Sequence, residues 1–485
     1  MIELDYCSKK NKGIIKGELF KEIREYFSEK NDAAKFLRHR YSFIPARNYA
    51  ITPTGRFNIG LTNEIIRCIK DKYPLEKCIV DKDLVRFLRP STDWEATSLL
   101  HYDLLPLSLK LYDYQEEVVK TCLHQGRGTV ILATAGGKTL ITSSLINHIK
   151  NTIYKDKKSF KCIFMVPSLS LVDQTVDKFM EYGVNFTFTK WTGKYDLNLS
   201  ADVIVCNLGI LQSKNTDISL LKSIDLLIID EVHTLRVGNN FNKIIDNIDT
   251  PYKFGFTGTL PESNLDKWNI IGKIGPVLYE RASHELRKDK FVSNAQISIL
   301  QITYKTQPVK SYSVTDRYRN EIEFLITNEY RNKIINKISS NASNNILIMV
   351  DYIRHGERLF NILSTNLQNK EVYFIQGSVD TDLREDIRKK MESKNNVVCI
   401  AISKIFSTGI DIKNLHNIIF AGGGKAKIKI IQSIGRGLRL HKDKKMLQII
   451  DIQDQTHYSI DHGQKRIKFY EQEKIPYQQT EIREE

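Results

Sequence analysis

The chain has 485 residues, too many for one ordinary core, and carries 72 Lys and Arg against 57 Asp and Glu, a formal net charge of +15. Its seven cysteines, at 7, 68, 78, 122, 162, 206 and 399, form no C-x-x-C pair, so neither a zinc ribbon nor a redox pair is signalled. No apolar run reaches the ~18 residues of a membrane span, so a reduced, soluble, cytoplasmic protein of two or three domains is expected, with no membrane partner and a polyanion as its natural ligand.

Residues 1 to 108 read as a small α+β domain: a helix in "GELFKEIREYFSEK", a strand region in "FLRHRYSFIPARNYAITPTGRFNIGL", and a second helix in "TNEIIRCIKDKY". Residues 1 to 100 hold 19 basic against 14 acidic side chains. Arg38, Arg40, Arg47 and Arg56 interleave with Tyr41, Phe43, Tyr49 and Phe57. Arginine beside aromatics suits phosphate contact with stacking on unpaired bases, so this domain is a candidate DNA-binding one. A twisted sheet whose aromatics form the core would write the same pattern.

From residue 111 the texture changes to short continuous apolar runs separated by helix-like segments: "TVILA", "CIFMVP", "DVIVC", "LLIID", then "NILIMV", "EVYFI", "NVVCIAI", "NIIFA" and "MLQIID". Continuous rather than alternating apolarity marks strands buried on both faces, and alternation with helices predicts parallel α/β sheets. The runs fall into two groups, roughly 129 to 258 and 345 to 451, with a strand-like "QISILQITY" and a helical segment around 318 to 340 between the groups, which predicts α/β lobes over 109–282 and 283–460. A basic helix, "DHGQKRIKFYEQEK", and a tail close the chain over 461–485. Residues 384 to 445 hold 15 basic against 5 acidic side chains, and a field so localised is a candidate binding face. Within it Lys425 and Lys427 follow three glycines that permit close backbone approach, and are candidate phosphate contacts of a nucleic acid.

The stretch "VILATAGGKTLI" places Ala135, Gly136 and Gly137 at a turn between a strand and a helix. Gly137 brings backbone freedom, Lys138 a charge for the β/γ-phosphates, and Thr139 a hydroxyl for Mg2+, with the helix N-terminus aimed at the anion. The pattern departs from G-x-x-x-x-G-K-[ST], which would have glycine where Leu132 stands. The apolar strand "LLIIDEVH" then ends in Asp230 and Glu231, where open α/β sheets bind ligands. Asp230 is the candidate metal ligand and Glu231 the candidate group polarising the attacking water.

Taken in order, "LATAGGKT", "DEVH", "FTGT", "STGID" and "QSIGRGLR" resemble the motifs of superfamily 2 helicases, over about 110 to 455, and the chain resembles the phage UvsW-type DNA helicase branch among them. The resemblance implies two RecA-like lobes with parallel sheets behind the N-terminal domain, ATP and Mg2+ as cofactors, and an ATP hydrolase coupled to nucleic-acid unwinding. It implies Gln115 as the adenine reader, Pro167, Ser168 and Gln174 as contacts to a nucleic-acid strand, and Thr257 and Thr259 in coupling hydrolysis to movement. In the second lobe it implies Gly409, Asp411 and Gln432 at the nucleotide, and Arg436 and Arg439 as arginines for the γ-phosphate. Three positions apart, those two would share one helix face. The DNA-acting branch also implies branched or single-stranded DNA as partner, RNA:DNA hybrids as a further substrate, a monomer, and, for a phage-encoded chain, the host cytoplasm. Two alternatives stay open: an RNA helicase or remodeller, and a DNA-binding ATP switch that does not translocate.

Overall fold

A computed structural model describes the chain apart from residues 9–11, 32–33, 35–43, 89–108, 214–218, 378, 380, 404–411, 423 and 425–426. It divides into two compact units, Met1–Leu132 with Gly137–Glu280, and Arg281–Glu485 with Ala133–Gly136.

The N-terminal part of the first unit is a four-stranded mixed sheet. Its strands are β1 (Ile2–Cys7), β2 (Lys12–Gly17), β5 (Arg56–Asn58) and β6 (Cys78–Val80), in the order β5-β2-β1-β6, and β3 (Ser28–Lys30) and β4 (Arg47–Tyr49) form a separate hairpin. Alternation decides which face is inside: Ile2 and Leu4 are buried while Glu3 and Asp5 are not. Helix Thr62–Lys72 presents Ile65, Cys68 and Ile69 to the same core, at helical spacing. The helix expected over "GELFKEIREYFSEK" is shorter, Phe20–Tyr26, because the last residues leave it as strand β3.

This core is completed from far along the chain. Ile271 and Trp268, on helix Asn264–Lys273, pack among Ile2, Phe27, Phe57 and Leu61. Two glycines permit the approach: a Cβ at Gly60 would lie 2.0 Å from the Ile271 carbonyl oxygen, and one at Gly272 would lie 2.7 Å from Asn58 Cβ. Glu29 adds a cap to the same helix, accepting from Ser263 Oγ at 2.6 Å, Leu265 N at 3.2 Å and Asn264 N at 3.3 Å. Burial raises the Glu29 pKa, but these hydrogen bonds and the nearby Lys267 outweigh it, and the net shift is downward. Gly60→Ala is expected to destabilise the first unit by ~1–3 kcal/mol through overpacking against backbone that cannot rotate away. Calorimetry should show the lower transition; an unchanged Tm would contradict the packing described.

The rest of the first unit is a seven-stranded sheet of β7 (Arg127–Leu132), β8 (Cys162–Val166), β9 (Phe188–Trp191), β10 (Val203–Asn207), β11 (Leu226–Asp230), β12 (Tyr252–Thr257) and β13 (Val277–Arg281), in the order β13-β7-β12-β11-β8-β10-β9. The pairings of β7 with β12, β12 with β11, β11 with β8, and β8 with β10 are parallel. All six residues of β7 and of β12 are buried, as expected of strands covered on both faces. The order sets β12 between β7 and β11, so the C-terminal ends of these three strands are neighbours.

The second unit holds a second seven-stranded sheet: β14 (Asn294–Thr303), β15 (Ile346–Val350), β16 (Glu371–Ile375), β17 (Val397–Ile402), β18 (Asn417–Phe420), β19 (Met446–Asp454) and β20 (Tyr477–Arg483), in the order β16-β17-β15-β18-β19-β14-β20, all paired in parallel. The helical segment expected at 318 to 340 is two helices, Val314–Thr327 and Glu329–Asn341. Asn328 separates them: its backbone leaves the helix at ψ 116 and its side chain caps the second by accepting from Arg331 N at 2.8 Å. The final segment is helix His457–Gln472 followed by β20, which adds to the edge of the sheet beside β14. Buried ion pairs hold this unit: Arg331 with Asp454, each about 1 % exposed, and Arg466 with Asp451. The chain is therefore α/β with two RecA-like sheets of seven parallel strands and a small N-terminal α+β part. Among the described residues no helix is long and apolar enough to cross a membrane.

Candidate active site

The buried strand β7 ends at Leu132 and the chain turns at once, with Gly136 N donating to Ala133 O at 3.0 Å. Ala135 takes φ 70 and Gly137 φ 81, both left-handed. For Gly137 this conformation comes without a Cβ penalty, and a Cβ there would meet Gln115 Nε2 at 2.3 Å, so glycine is required twice over. For Ala135 the same region stores strain of order 1 kcal/mol. Gly137 caps helix Lys138–His148, whose first N–H groups face the turn. Ala135, Gly136, Gly137, Lys138 and Thr139 thus form one continuous cradle at the strand end.

The acidic pair stands two strands away. Asp230 closes β11, and its Oδ1 accepts from Glu231 N at 3.0 Å. Glu231 itself adopts φ 53, so it joins Ala135 as a non-glycine residue held in the left-handed region. The Lys138 ammonium lies 3.4 Å from Leu132 O and 3.9 Å from Glu231 Oε1, with both side chains about nine-tenths buried. Attraction between the pair is screened little at such a site. The other Glu231 oxygen is 3.1 Å from His233 Nδ1 and 3.5 Å from Thr257 Oγ1. Thr257 ends β12, and its hydroxyl is 2.9 Å from His233 Nδ1 and donates to Thr259 O at 2.9 Å. The sequence places Glu231 and Thr257 in separate motifs; the strand order joins them through His233. The motifs alone set the Thr257 hydroxyl beside the acidic pair; the bridge through His233 is what they do not give, and the histidine in "DEVH" is its only signal.

Gln115 is 3 % exposed, so a solvated helix surface does not describe it. Its Oε1 accepts from Tyr112 N at 3.0 Å, and its amide nitrogen packs on Gly137, which holds the amide against the phosphate loop. Pro167 and Ser168 follow β8, and Ser168 precedes helix Leu169–Tyr182, on which Gln174 is half-buried. In the second unit, helix Lys427–Gly437 ends before Arg439. Arg436, in its last turn, and Arg439, beyond it, therefore do not share one helix face, contrary to the spacing argument. Gly437 sits where a Cβ would meet Leu447 at 2.8 Å, and Leu438 N turns back to Ile434 O and Gly435 O. Arg436 is buried and Arg439 half-buried.

In the N-terminal part, Arg47 donates to Ser28 Oγ at 2.9 Å and pairs with Glu25 at 2.8 Å, while the Arg24 guanidinium lies 3.6 Å above the Tyr49 ring. Phe57 is in the core. Arg38, Arg40, Gly409, Asp411 and Lys425 lie outside the described residues, as do the side chains of Lys427 and Gln432. Among the described residues no cluster of three or more His, Cys, Asp or Glu could hold a metal by itself. The oxygen-only pair of Thr139 and Asp230 fits a hard cation that draws its remaining ligands from phosphate and water.

A strand-end cradle with a lysine, an acidic pair at the next-but-one strand, and a second RecA-like sheet define a nucleotide-driven motor. Residues 108–262 match the family described as type III restriction enzyme, res subunit, and residues 329–441 match the helicase conserved C-terminal domain. Both matches are to helicase-type modules, and the chain is an ATP-dependent helicase of the superfamily 2 kind. Within that superfamily it is UvsW-like: it is 26% identical to the ATP-dependent DNA helicase uvsW of Enterobacteria phage T4, over 94% of each chain. A DNA 3'-5' translocase of Sulfurisphaera tokodaii is 25% identical over 72% of this chain and 83% of its own. In fold the chain is similar to the ATP-dependent type ISP restriction-modification enzyme LlaBIII bound to DNA, with a TM-score of 0.56 at 15% identity, over 87% of this chain and 34% of that one.

Proposed function

We propose that this helicase remodels branched DNA (forks, junctions and R-loops with their RNA:DNA hybrids) in phage replication, recombination or repair, working as a monomer in the host cytoplasm. The observation that carries the motor reading is the buried constellation of Lys138, Glu231, His233 and Thr257 on neighbouring strand ends. Lys138 and the N–H groups that open its helix bind the β- and γ-phosphates, Ala135, Gly136 and Gly137 shape the turn around them, and Gln115 reads the adenine edge. Glu231 holds and polarises the attacking water, and His233 fixes one Glu231 oxygen so that the other faces the reaction. Thr139 and Asp230 would hold Mg2+, which when bound would neutralise charge on the phosphates. Thr257, bonded to His233, links the state of that site to the segment after β12. Arg436, Arg439 and Gln432, with Gly409 and Asp411, serve the γ-phosphate during turnover, with the arginines neutralising transition-state charge. Pro167, Ser168 and Gln174 contact the DNA backbone, as do Lys425 and Lys427.

Residues 1 to 108 are proposed as the DNA-binding domain, with Arg38, Arg40 and Arg47 on its DNA face. Support comes from the way this domain is fused to the motor: the Gly60–Ile271 approach and the Glu29 cap leave little freedom between them, so a junction gripped by one is presented to the other. ATPase and strand-displacement assays over single strands, forks, four-way junctions and RNA:DNA hybrids test the proposal. Forks and junctions are expected to stimulate hydrolysis more than single strands of equal length. Equal stimulation by single-stranded RNA would move the assignment to the RNA helicase alternative, and binding without any hydrolysis would move it to the ATP switch.

A further inference from the structure

Across the first lobe's sheet from the phosphate loop, at the opposite ends of its strands, four cations converge. Arg127 opens β7 and Lys253 lies at the start of β12, directly opposite each other in the parallel register. Partners so paired project from the same face, ~5 Å apart. They are 4 % and 6 % exposed. Lys273, from helix Asn264–Lys273, covers them, and Lys12, from β2 of the N-terminal part, completes the group. Between them lies a cavity of about 320 Å³, lined also by Asn58, Gly272 and Asp246. At ~30 Å³ per water it has room for roughly ten.

Like charges side by side in a buried site are unfavourable unless something offsets them. The acceptors present offset part of it. Arg127 donates to Ile274 O at 2.7 Å and Lys273 O at 2.9 Å, and Lys253 donates to Ile248 O at 2.5 Å. Asp246 serves Lys273 at 2.5 Å and Lys12 at 3.3 Å, and Lys12 also donates to Asn58. Asp249 acts on Arg127 and Lys253 through its charge. Four cations thus stand against two carboxylates, and the surplus borders the cavity.

We infer that this cavity is a second anion site, taking free inorganic phosphate or the phosphate group of a small phosphomonoester, held by Arg127, Lys253, Lys273 and Lys12. Because Lys12 and Asn58 come from the N-terminal part and the others from the lobe, an anion there ties the two together. The site rests on none of the roles proposed for the phosphate loop. Its electrostatics agree: burial, with the Arg127 charge next, pushes the Lys253 pKa down to about 7, and Asp249 and Asp246 only partly restore it against Lys273. A bound anion restores the protonated form, so binding tightens as pH falls through about 7.

Equilibrium dialysis of inorganic phosphate against the full chain, with ADP saturating the phosphate loop, is the test. One bound equivalent per chain is expected, and Lys12→Gln at the partly exposed rim should weaken it roughly tenfold, as loss of one charged hydrogen bond does. Lys253→Met should abolish it. If that variant does not fold, a pH series with sulfate, which stays dianionic, replaces it: affinity should rise from pH 8.5 to 6.5 in the wild type. No bound equivalent, equal binding by Lys12→Gln, or a flat sulfate series would overturn the site. Displacement of the phosphate by duplex DNA would overturn its assignment to a small ligand.

Discussion

Lys138→Ala should reduce DNA-stimulated ATP hydrolysis by at least ~10² to 10³ in kcat, the usual loss when one preorganised charge is removed from a buried transition-state site. The expectation rests on position. Lys138 is the first residue of its helix, is nine-tenths buried, and lies within 4 Å of both Leu132 O and Glu231 Oε1, so no other described cation is as well placed at that strand end. Removing it leaves Glu231 without its ammonium neighbour but still bonded to the His233–Thr257 pair, so the fold should persist. DNA binding, measured by anisotropy at moderate salt, should change less than about threefold, because backbone-phosphate contacts supply that affinity. A variant with near-normal turnover would remove the phosphate-loop assignment altogether. One that lost DNA binding in proportion to hydrolysis would make the lysine a structural residue.

The largest expected effect on stability lies in the second unit. Asp454→Ala should destabilise it by ~3–5 kcal/mol, since breaking a buried pair leaves an uncompensated charge. Arg331 Nε and Nη2 donate to the two Asp454 oxygens at 2.8 and 3.1 Å, and Nη2 also donates to Ala421 O at 2.7 Å. Tyr304 donates to the same carboxylate, and His355 Nε2 lies 3.3 Å from Arg331 Nη1. Burial, then the charges of Arg331 and Arg358, hold the His355 pKa well below its ordinary value, so the ring is neutral and offers no replacement anion or added charge. With the two units treated as separate transitions, the fall should be roughly 6 to 20 °C in the Tm of the second. Arg331→Met with Asp454→Leu should recover most of it, because an apolar pair of similar volume is often no worse than a buried ion pair. If the single and double variants melt together, the ion pair is not what holds these elements.

Much of this was legible because buried parallel strands write themselves as unbroken apolar runs. "CIFMV", "LLIID" and "ILIMV" are strands from end to end, and each run quoted between residues 129 and 451 lies on one. Strand β20, "YQQTEIR", was not legible: as an edge strand with most of its side chains in solvent, it has no apolar run to show. The break at Asn328 was hidden for a related reason, since helical periodicity runs through it and only the cap geometry divides the segment. At the site, residue types could be read from chemistry but their joining could not. That Glu231 meets Thr257 through His233 follows from strand order, a long-range property that no local window contains. The same limit explains the arginine pair, whose shared face depended on where the helix stops.

Glu29 finds its helix 234 residues further along the chain, at Ser263. At synthesis rates of about 5–20 residues per second, roughly 12 to 47 s pass between the two leaving the ribosome's catalytic centre. Through that interval the face made by Ile2, Phe27 and Phe57 has no Ile271 or Trp268 to cover it. The N-terminal part is therefore made early and completed only when the last helix of the first unit emerges, a contact order that favours slow maturation and gives chaperones a defined apolar target on the nascent chain.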